Sequence, residues 1–307
     1  MPQVQKVIII GSGPAGYTAA LYTSRALLKP LLFAGYASGG QLMLTSDVEN
    51  YPGYPEGIMG PEIMSDFRKQ AEKFGTKIVD KDVSSVDFST RPFKVIVENE
   101  TFFSESIIIS TGAEARWLGT ENENQYKGRG ISTCATCDGA FFKDKEVIVI
   151  GGGDSAMEEA TFLTRFASKV TIIHRREGLR ASQIMSLRAR ENPKISWKLN
   201  TTIKSWSGSD NILSGAIITN TIDNTDSNLS FDGAFIAIGH TPITGFLENQ
   251  VETDDSGYIL TKSNTMTSIE GVFACGDVVD KKYRQAVTAA GMGCMAAIDC
   301  ERWLESN

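Results

Sequence analysis

The chain has 307 residues, a formal net charge of -7, 41% hydrophobic and 22% charged residues. That is room for two ordinary globular domains, and the acidic balance argues against a surface built for nucleic acid. No apolar run approaches the ~20 residues of a membrane-spanning helix, no secretory leader is expected, since the start reads directly into a strand, and five cysteines are too few for a disulfide scaffold and suit a reducing cytoplasm.

Lys6-Val7-Ile8-Ile9-Ile10 is a continuous β-branched run, the pattern of a buried parallel strand. It leads into Gly11-Ser12-Gly13-Pro14-Ala15-Gly16 and then a helical stretch from Tyr17. This is G-x-G-x-x-G between a strand and a helix, where glycines make the tight turn and let a pyrophosphate approach the helix N-terminus. The next strand, Lys29 to Phe33, ends in Ala34-Gly35. A dinucleotide fold normally places an acid there to bind a ribose, so the ribose must be held in another way or held less well. Gly40, Gln41 and Asn50 lie in turn-rich segments, where the amides read equally well as ligand-facing groups or local caps. Gly60 to Phe74 has the pattern of an amphipathic helix. Several short strands follow, up to Ser106-Ile107-Ile108-Ile109-Ser110 and Thr111-Gly112.

Next comes Cys134-Ala135-Thr136-Cys137-Asp138. Two thiols two residues apart can close and reopen a small disulfide ring, and such spacing lowers a thiol pKa. Asp138 stands where it could exchange protons with a departing thiolate. The same spacing makes half a zinc site, but there is no second such pair, and His174 and His240 lack ligand spacing. Two buried structural cysteines would be an equal reading of the motif alone. Its neighbours decide for redox use, because a second fingerprint follows directly. Glu146-Val147-Ile148-Val149-Ile150 runs into Gly151-Gly152-Gly153-Asp154-Ser155-Ala156, and a helix is expected from Met157 to Ala167.

Gly151 lies 140 residues after Gly11, and Ala34 shifted by the same amount falls on His174. Phe235 to Gly239 repeats the logic of Ile107 to Gly112. The fold class is therefore α/β, with two Rossmann-like dinucleotide-binding domains, the second inserted into the first. The units differ at the end of the second strand: the later one carries His174-Arg175-Arg176 and Arg180. Arginines there suit a ribose 2′-phosphate, which they grip with paired donors, so the second unit reads as an NADPH site. Near the end, Val272-Phe273-Ala274-Cys275 leads into Gly276-Asp277, whose carboxylate could bond a ribityl hydroxyl. Tyr283-Arg284-Gln285-Ala286 opens a helix toward Trp303. Cys275, Cys294 and Cys300 read as core residues.

Together these motifs resemble the low-molecular-weight thioredoxin reductase family along essentially the whole chain. The resemblance implies FAD on residues 1–112 and 241–307 and NADPH on 113–240, the part that also carries the redox cysteines. It implies FAD contacts at Gly11, Ser12, Gly13, Pro14, Ala15, Gly40, Gln41, Asn50, Val83, Thr111, Gly112, Gly276, Asp277, Arg284, Gln285 and Ala286. NADPH contacts are implied at Gly151, Gly153, Asp154, Ser155, Ala156, His174, Arg175, Arg176, Arg180, Ile238 and Gly239. Electrons would pass from NADPH through FAD to a Cys134–Cys137 disulfide, with Cys137 facing the flavin, Cys134 attacking thioredoxin and Asp138 serving as acid-base group. No metal, membrane or nucleic acid is implied. A cytoplasmic homodimer is expected, its domains rotating between half-reactions about the crossings near Gly112 and Gly239. A peroxiredoxin-linked or other thioredoxin-like partner, and a non-catalytic redox sensor, are the alternatives.

Overall fold

In the computed structural model, which describes residues 3–45 and 47–307, the first strand-turn-helix is β1 (Val4–Ile10) followed by α1 (Pro14–Arg25). Met1 and Pro2, where a leader would be sought, lie outside the described residues. The chain continues through β2 (Leu31–Phe33), α2 (Gly60–Lys73), β3 (Lys77–Val79), β4 (Ser85–Asp87), β5 (Phe93–Val97) and β6 (Glu100–Ile109). A short strand, β7 (Ala113–Ala115), then leads out of this unit.

The next stretch holds α3 (Glu123–Tyr126), β8 (Ile131–Ser132), α4 (Ala135–Asp138), β9 (Glu146–Ile150), α5 (Asp154–Leu163), β10 (Lys169–Ile173) and α6 (Gln183–Glu191). It ends with β11 (Ile195–Lys198), β12 (Thr201–Ser209), β13 (Ile212–Asn220), β14 (Asp226–Ser230) and β15 (Gly233–Ile236). The chain returns along β16 (His240–Pro242) and finishes with β17 (Val272–Ala274) and α7 (Ala286–Ser306). Residues up to Glu114 with Thr241–Asn307 make one compact unit, and Ala115–His240 make the other.

In the first unit the strands run in the order β3-β2-β1-β6-β5-β4, and β17 also pairs with β6. The ten residues of β6 serve both neighbours on that side: Glu100 to Ser104 pair antiparallel with β5, and Ile107 to Ile109 pair parallel with β17. Side chains alternate across the strands. Val7, Ile9, Leu32, Ile108 and Phe273 form one core with α1 and α7, while Ile8, Ile10, Leu31, Ile107 and Val272 form the core on the other face. At roughly 1.5–3 kcal/mol per fully buried aliphatic side chain, these two layers fix which face every loop leaves from.

The second unit repeats this plan with the order β11-β10-β9-β15-β8, all parallel. The repeat reaches the register: Ile10 pairs with Phe33, and Ile150 with Ile173. Val147 and Val149 again face the helices, with Ile148 and Ile150 on the opposite side. The helix expected from Met157 starts earlier, at Asp154, because it grows directly out of the glycine turn.

Candidate active site

Cys134 and Cys137 are joined in a disulfide. Cys134 is the N-cap of the one-turn helix α4, and its carbonyl accepts the Cys137 and Asp138 amides at 3.2 and 3.1 Å. The turn is anchored from below. Ala135, between the thiols, is 1% exposed in the core shared with α5, and Gly139 lies against Leu163 and Phe162. The disulfide thus rides on the helix that starts at the second fingerprint. Both cysteines stay half-buried, so a partner can reach them.

Ser132 organises the proton chemistry and carries no signature that sequence reading could use. It is buried at the end of β8, and its Oγ accepts the Cys134 N–H at 3.0 Å. It also hydrogen-bonds Asp138, which opposes but does not cancel the main influence on that group. Burial pushes the Asp138 carboxyl above its usual range. A carboxyl so placed holds a proton longer than an exposed one and can return it to a thiolate nearby.

In the first fingerprint, Gly11 has φ +106°, and a side chain on it would collide with the Ser110 carbonyl. Gly16 abuts the Gly11 carbonyl in the same way. Gly13, the extended N-cap of α1, differs: a Cβ there would meet nothing within 4 Å. That is the surface a phosphate needs, with the α1 N-terminus behind it. Pro14 fills the first helical turn without an unmet donor. The Ser12 hydroxyl is committed internally, donating to Ala34 O at 2.6 Å and accepting from Gly39 N at 2.9 Å, so Ser12 would meet a ligand through its backbone. Gly40 is held close to Gly13, its Cβ position 3.3 Å from the Gly13 Cα. Gln41 is exposed beside it, and Val83 is half-buried at the edge of the core.

The C-terminal motif comes to the same place. Gly276, φ +75°, packs on Ala15, and Gly293 of α7 packs on the Ala15 carbonyl. Gln285 caps α7 in a reciprocal capping box with Thr288, and Asn50 Nδ2 donates to Gln285 Oε1 at 3.3 Å. Residues 235 apart in sequence are so joined. Arg284 takes a left-handed φ of +45° just before the cap, and the helix begins at Ala286 rather than at Tyr283. Thr111 and Gly112 bind Ile243, through the hydroxyl at 2.7 Å and the carbonyl at 3.0 Å.

Asp277 is the group whose surroundings most clearly ask for a ligand. Its Oδ1 is buried without a hydrogen-bond partner among the described residues. Burial, with Asp280 nearby, pushes its carboxyl up to about 6 against a smaller opposing pull from Arg284. A hydroxyl donor would satisfy Oδ1, so the residues fit the polyol chain of a flavin nucleotide. Because the folded pKa lies above the unfolded one, the native protein loses stability as pH rises through about 4 to 6 and does not regain it above. Asp277→Asn should therefore stabilise the flavin-free protein above pH 6, by a margin that vanishes below pH 4, while flavin leaves the variant faster. Urea midpoints at the two pH values, beside flavin release, test both halves.

The second fingerprint uses its three glycines differently. Gly151 abuts Ala237 and Ala156, Gly153 is open like Gly13, and Gly152 lies flat against the His174 ring. His174 stands with the arginines in sequence, but the residue is buried, its Nε2 lacks a partner among the described residues, and burial lowers its pKa. Arg175, Arg176 and Arg180 remain exposed. The loop between them is tied back, since Arg180 N and Ala181 N donate to Gly152 O at 2.7 and 2.9 Å, and Ser182 N to Asp154 Oδ1 at 2.6 Å. Asp154 is thus a loop anchor. Ser155 is half-buried and Ala156 fully buried. Ile238 packs on the second unit's core, and the Gly239 carbonyl takes the Arg116 amide.

Of the other cysteines, Cys275 and Cys300 are buried, and burial pushes both thiols up to about 12. Cys294 departs from the core reading, being half-exposed beside Tyr22. Among the described residues, no group of three or more metal-ligating side chains gathers, and no helix is long and apolar enough to cross a membrane.

The sequence pattern of the pyridine nucleotide-disulphide oxidoreductase family matches residues 5–293. Thioredoxin reductase 2 of Arabidopsis thaliana is 54% identical over 98% of this chain and 82% of its own length. The crystal structure of thioredoxin reductase from Streptococcus pyogenes overlays with a TM-score of 0.95 at 41% identity, covering 100% of both chains. That of Lactococcus lactis thioredoxin reductase, described as the FR conformation, overlays at 0.67 with the same 41% identity, covering 99% of this chain and 100% of the other. The chain belongs to the pyridine nucleotide-disulphide oxidoreductase family and, within it, to the thioredoxin reductases.

Proposed function

We propose that the chain reduces the disulfide of a thioredoxin with electrons from NADPH. FAD would be held by the unit that contains Gly13 and Asp277, and NADPH by the unit that contains Gly153 and the arginines. The observation that carries this reading is the Cys134–Cys137 disulfide beside Asp138, mounted on the helix that begins at the second fingerprint. Flavin, when bound, supplies the two-electron relay between NADPH and that disulfide.

The protein's own steps are thiol chemistry. In the dithiol state the Cys134 thiolate attacks one sulfur of the thioredoxin disulfide, forming a mixed disulfide and expelling a thioredoxin thiolate. The Cys137 thiolate then attacks Cys134 Sγ. The internal disulfide re-forms and the second thioredoxin thiolate leaves. Two protons accompany the electron pair, and Asp138, whose carboxyl burial pushes above its usual range, is the group placed to pass one to a leaving thiolate. Thioredoxin's disulfide, at about -270 mV, is already hard to reduce, which suits a donor as strong as NADPH.

The disulfide and the second fingerprint belong to Ala115–His240, and the first fingerprint belongs to the other unit. Serving one flavin with both requires the units to rotate between half-reactions. This is supported by the two bacterial relatives, equal in identity yet unequal in overlay, since relatives with the same parts differ then in how those parts are arranged. The resemblance further supports a homodimer working in the cytoplasm. The decisive experiment is the visible spectrum of the purified protein, followed by NADPH oxidation with and without oxidised thioredoxin. A flavin spectrum and thioredoxin-dependent oxidation are expected. Flavin reduction without turnover on thioredoxin would point to the sensor reading.

A further inference from the structure

The end of β2 carries no acid, yet the loop after β3 brings one to the same place. Main-chain pairing runs on past the two strands: Ala34 N donates to Val79 O at 2.8 Å and Gly35 N to Lys81 O at 3.3 Å. This carries Asp82 over the turn that follows β2. Its Oδ1 accepts the Tyr36 N–H at 3.1 Å and lies 2.9 Å from the point where a Cβ on Gly35 would stand. Gly35 has φ +77°, so glycine both permits the turn and makes room for the carboxylate. Ser12 fastens this turn to the fingerprint through Ala34 O and Gly39 N, and Gly40 approaches Gly13. Asp82 therefore stands at the loop where a dinucleotide fold receives its adenosine ribose.

The neighbouring carboxylates are committed elsewhere. Asp80 makes a two-pronged pair with Arg68 at 2.6 and 2.9 Å. Glu98 takes Lys81 Nζ at 2.7 Å and the Tyr36 hydroxyl at 2.6 Å. Asp82 is exposed, and its Oδ2 makes no hydrogen bond among the described residues. We propose that Asp82 receives the hydroxyls of the adenosine ribose of bound FAD, replacing from the next strand's loop the acid that Ala34 lacks. This rests on the flavoprotein reading above.

Asp82→Asn is the discriminating variant, because the amide oxygen can still accept the Tyr36 N–H while the ligand-facing carboxylate oxygen is lost. Full-length holoprotein is diluted and flavin release is followed by its fluorescence, with FAD and with an FAD analogue whose adenosine ribose lacks both hydroxyls. Asp82→Asn should release FAD roughly tenfold to a hundredfold faster, the span of a hydrogen bond to a charged group. It should release the analogue at the wild-type rate. Unchanged FAD release would make Asp82 a turn cap only and overturn the proposal. So would equal acceleration of both flavins, since a loosened turn does not distinguish them. A wild-type protein purified without flavin would instead overturn the reading on which the proposal rests, and that shows in its spectrum before any variant is made.

Discussion

Cys134→Ser is expected to leave the flavin reducible by NADPH while lowering thioredoxin reduction by roughly 10³-fold or more, the scale of losing an attacking nucleophile. The serine hydroxyl ionises far too weakly to open a disulfide, and Cys137 left alone has no partner thiol with which to resolve a mixed disulfide. The fold should tolerate the change. Cys134 caps α4 through its backbone, its sulfur meets the Thr136 hydroxyl besides the disulfide, and serine is a good N-cap. The buried anchors Ala135 and Ser132 are untouched. Stopped-flow absorbance on mixing with NADPH should still show flavin bleaching, whereas steady-state NADPH oxidation with thioredoxin should fall to background. Wild-type turnover in the variant would remove the disulfide from the pathway.

The parts of this architecture that sequence reading found are those fixed by local pattern. β-branched runs ending at glycine turns announce themselves, and a 140-residue shift maps Gly11 onto Gly151 because both units solve the same problem of bringing backbone close to a phosphate. The parts it missed depend on how the chain turns or which strands become neighbours. Ser132 meets Asp138 only because the chain folds back from the end of β8 into the turn of α4. Asp82 crosses Gly35 only because β2 and β3 are neighbours in the sheet. Nothing in either local sequence marks these roles. The burial of His174 had a clue in hindsight: the fingerprint does not demand a glycine at Gly152, and a surplus glycine signals a close approach, here by the imidazole ring. Cys294 departs from the core expectation for the opposite reason. It lies on a helix rich in small residues, whose half-exposed face cannot be told from its buried face by composition.

Neutralising Arg175, Arg176 and Arg180 together should raise the KM for NADPH by about 10- to 100-fold and leave that for NADH nearly unchanged. The loop that bears them is held at both ends, by the buried His174 at one and by Gly152 O and Asp154 at the other. The guanidinium groups can be neutralised without releasing that frame, since Arg180 is tied through its main chain. None of the three arginines makes an ion pair among the described residues, so their charge is available to a dianionic 2′-phosphate. A charged hydrogen bond is worth about 1.5–3 kcal/mol, but all three side chains are exposed, and solvent screening reduces the sum well below three full bonds. That screening gives the experiment its second readout. In the wild type the KM for NADPH should climb with ionic strength while that for NADH stays flat, and in the triple variant both should stay flat. An equal loss with the two nucleotides, or a salt dependence that survives the substitutions, would place the selectivity for the phosphate elsewhere in the unit.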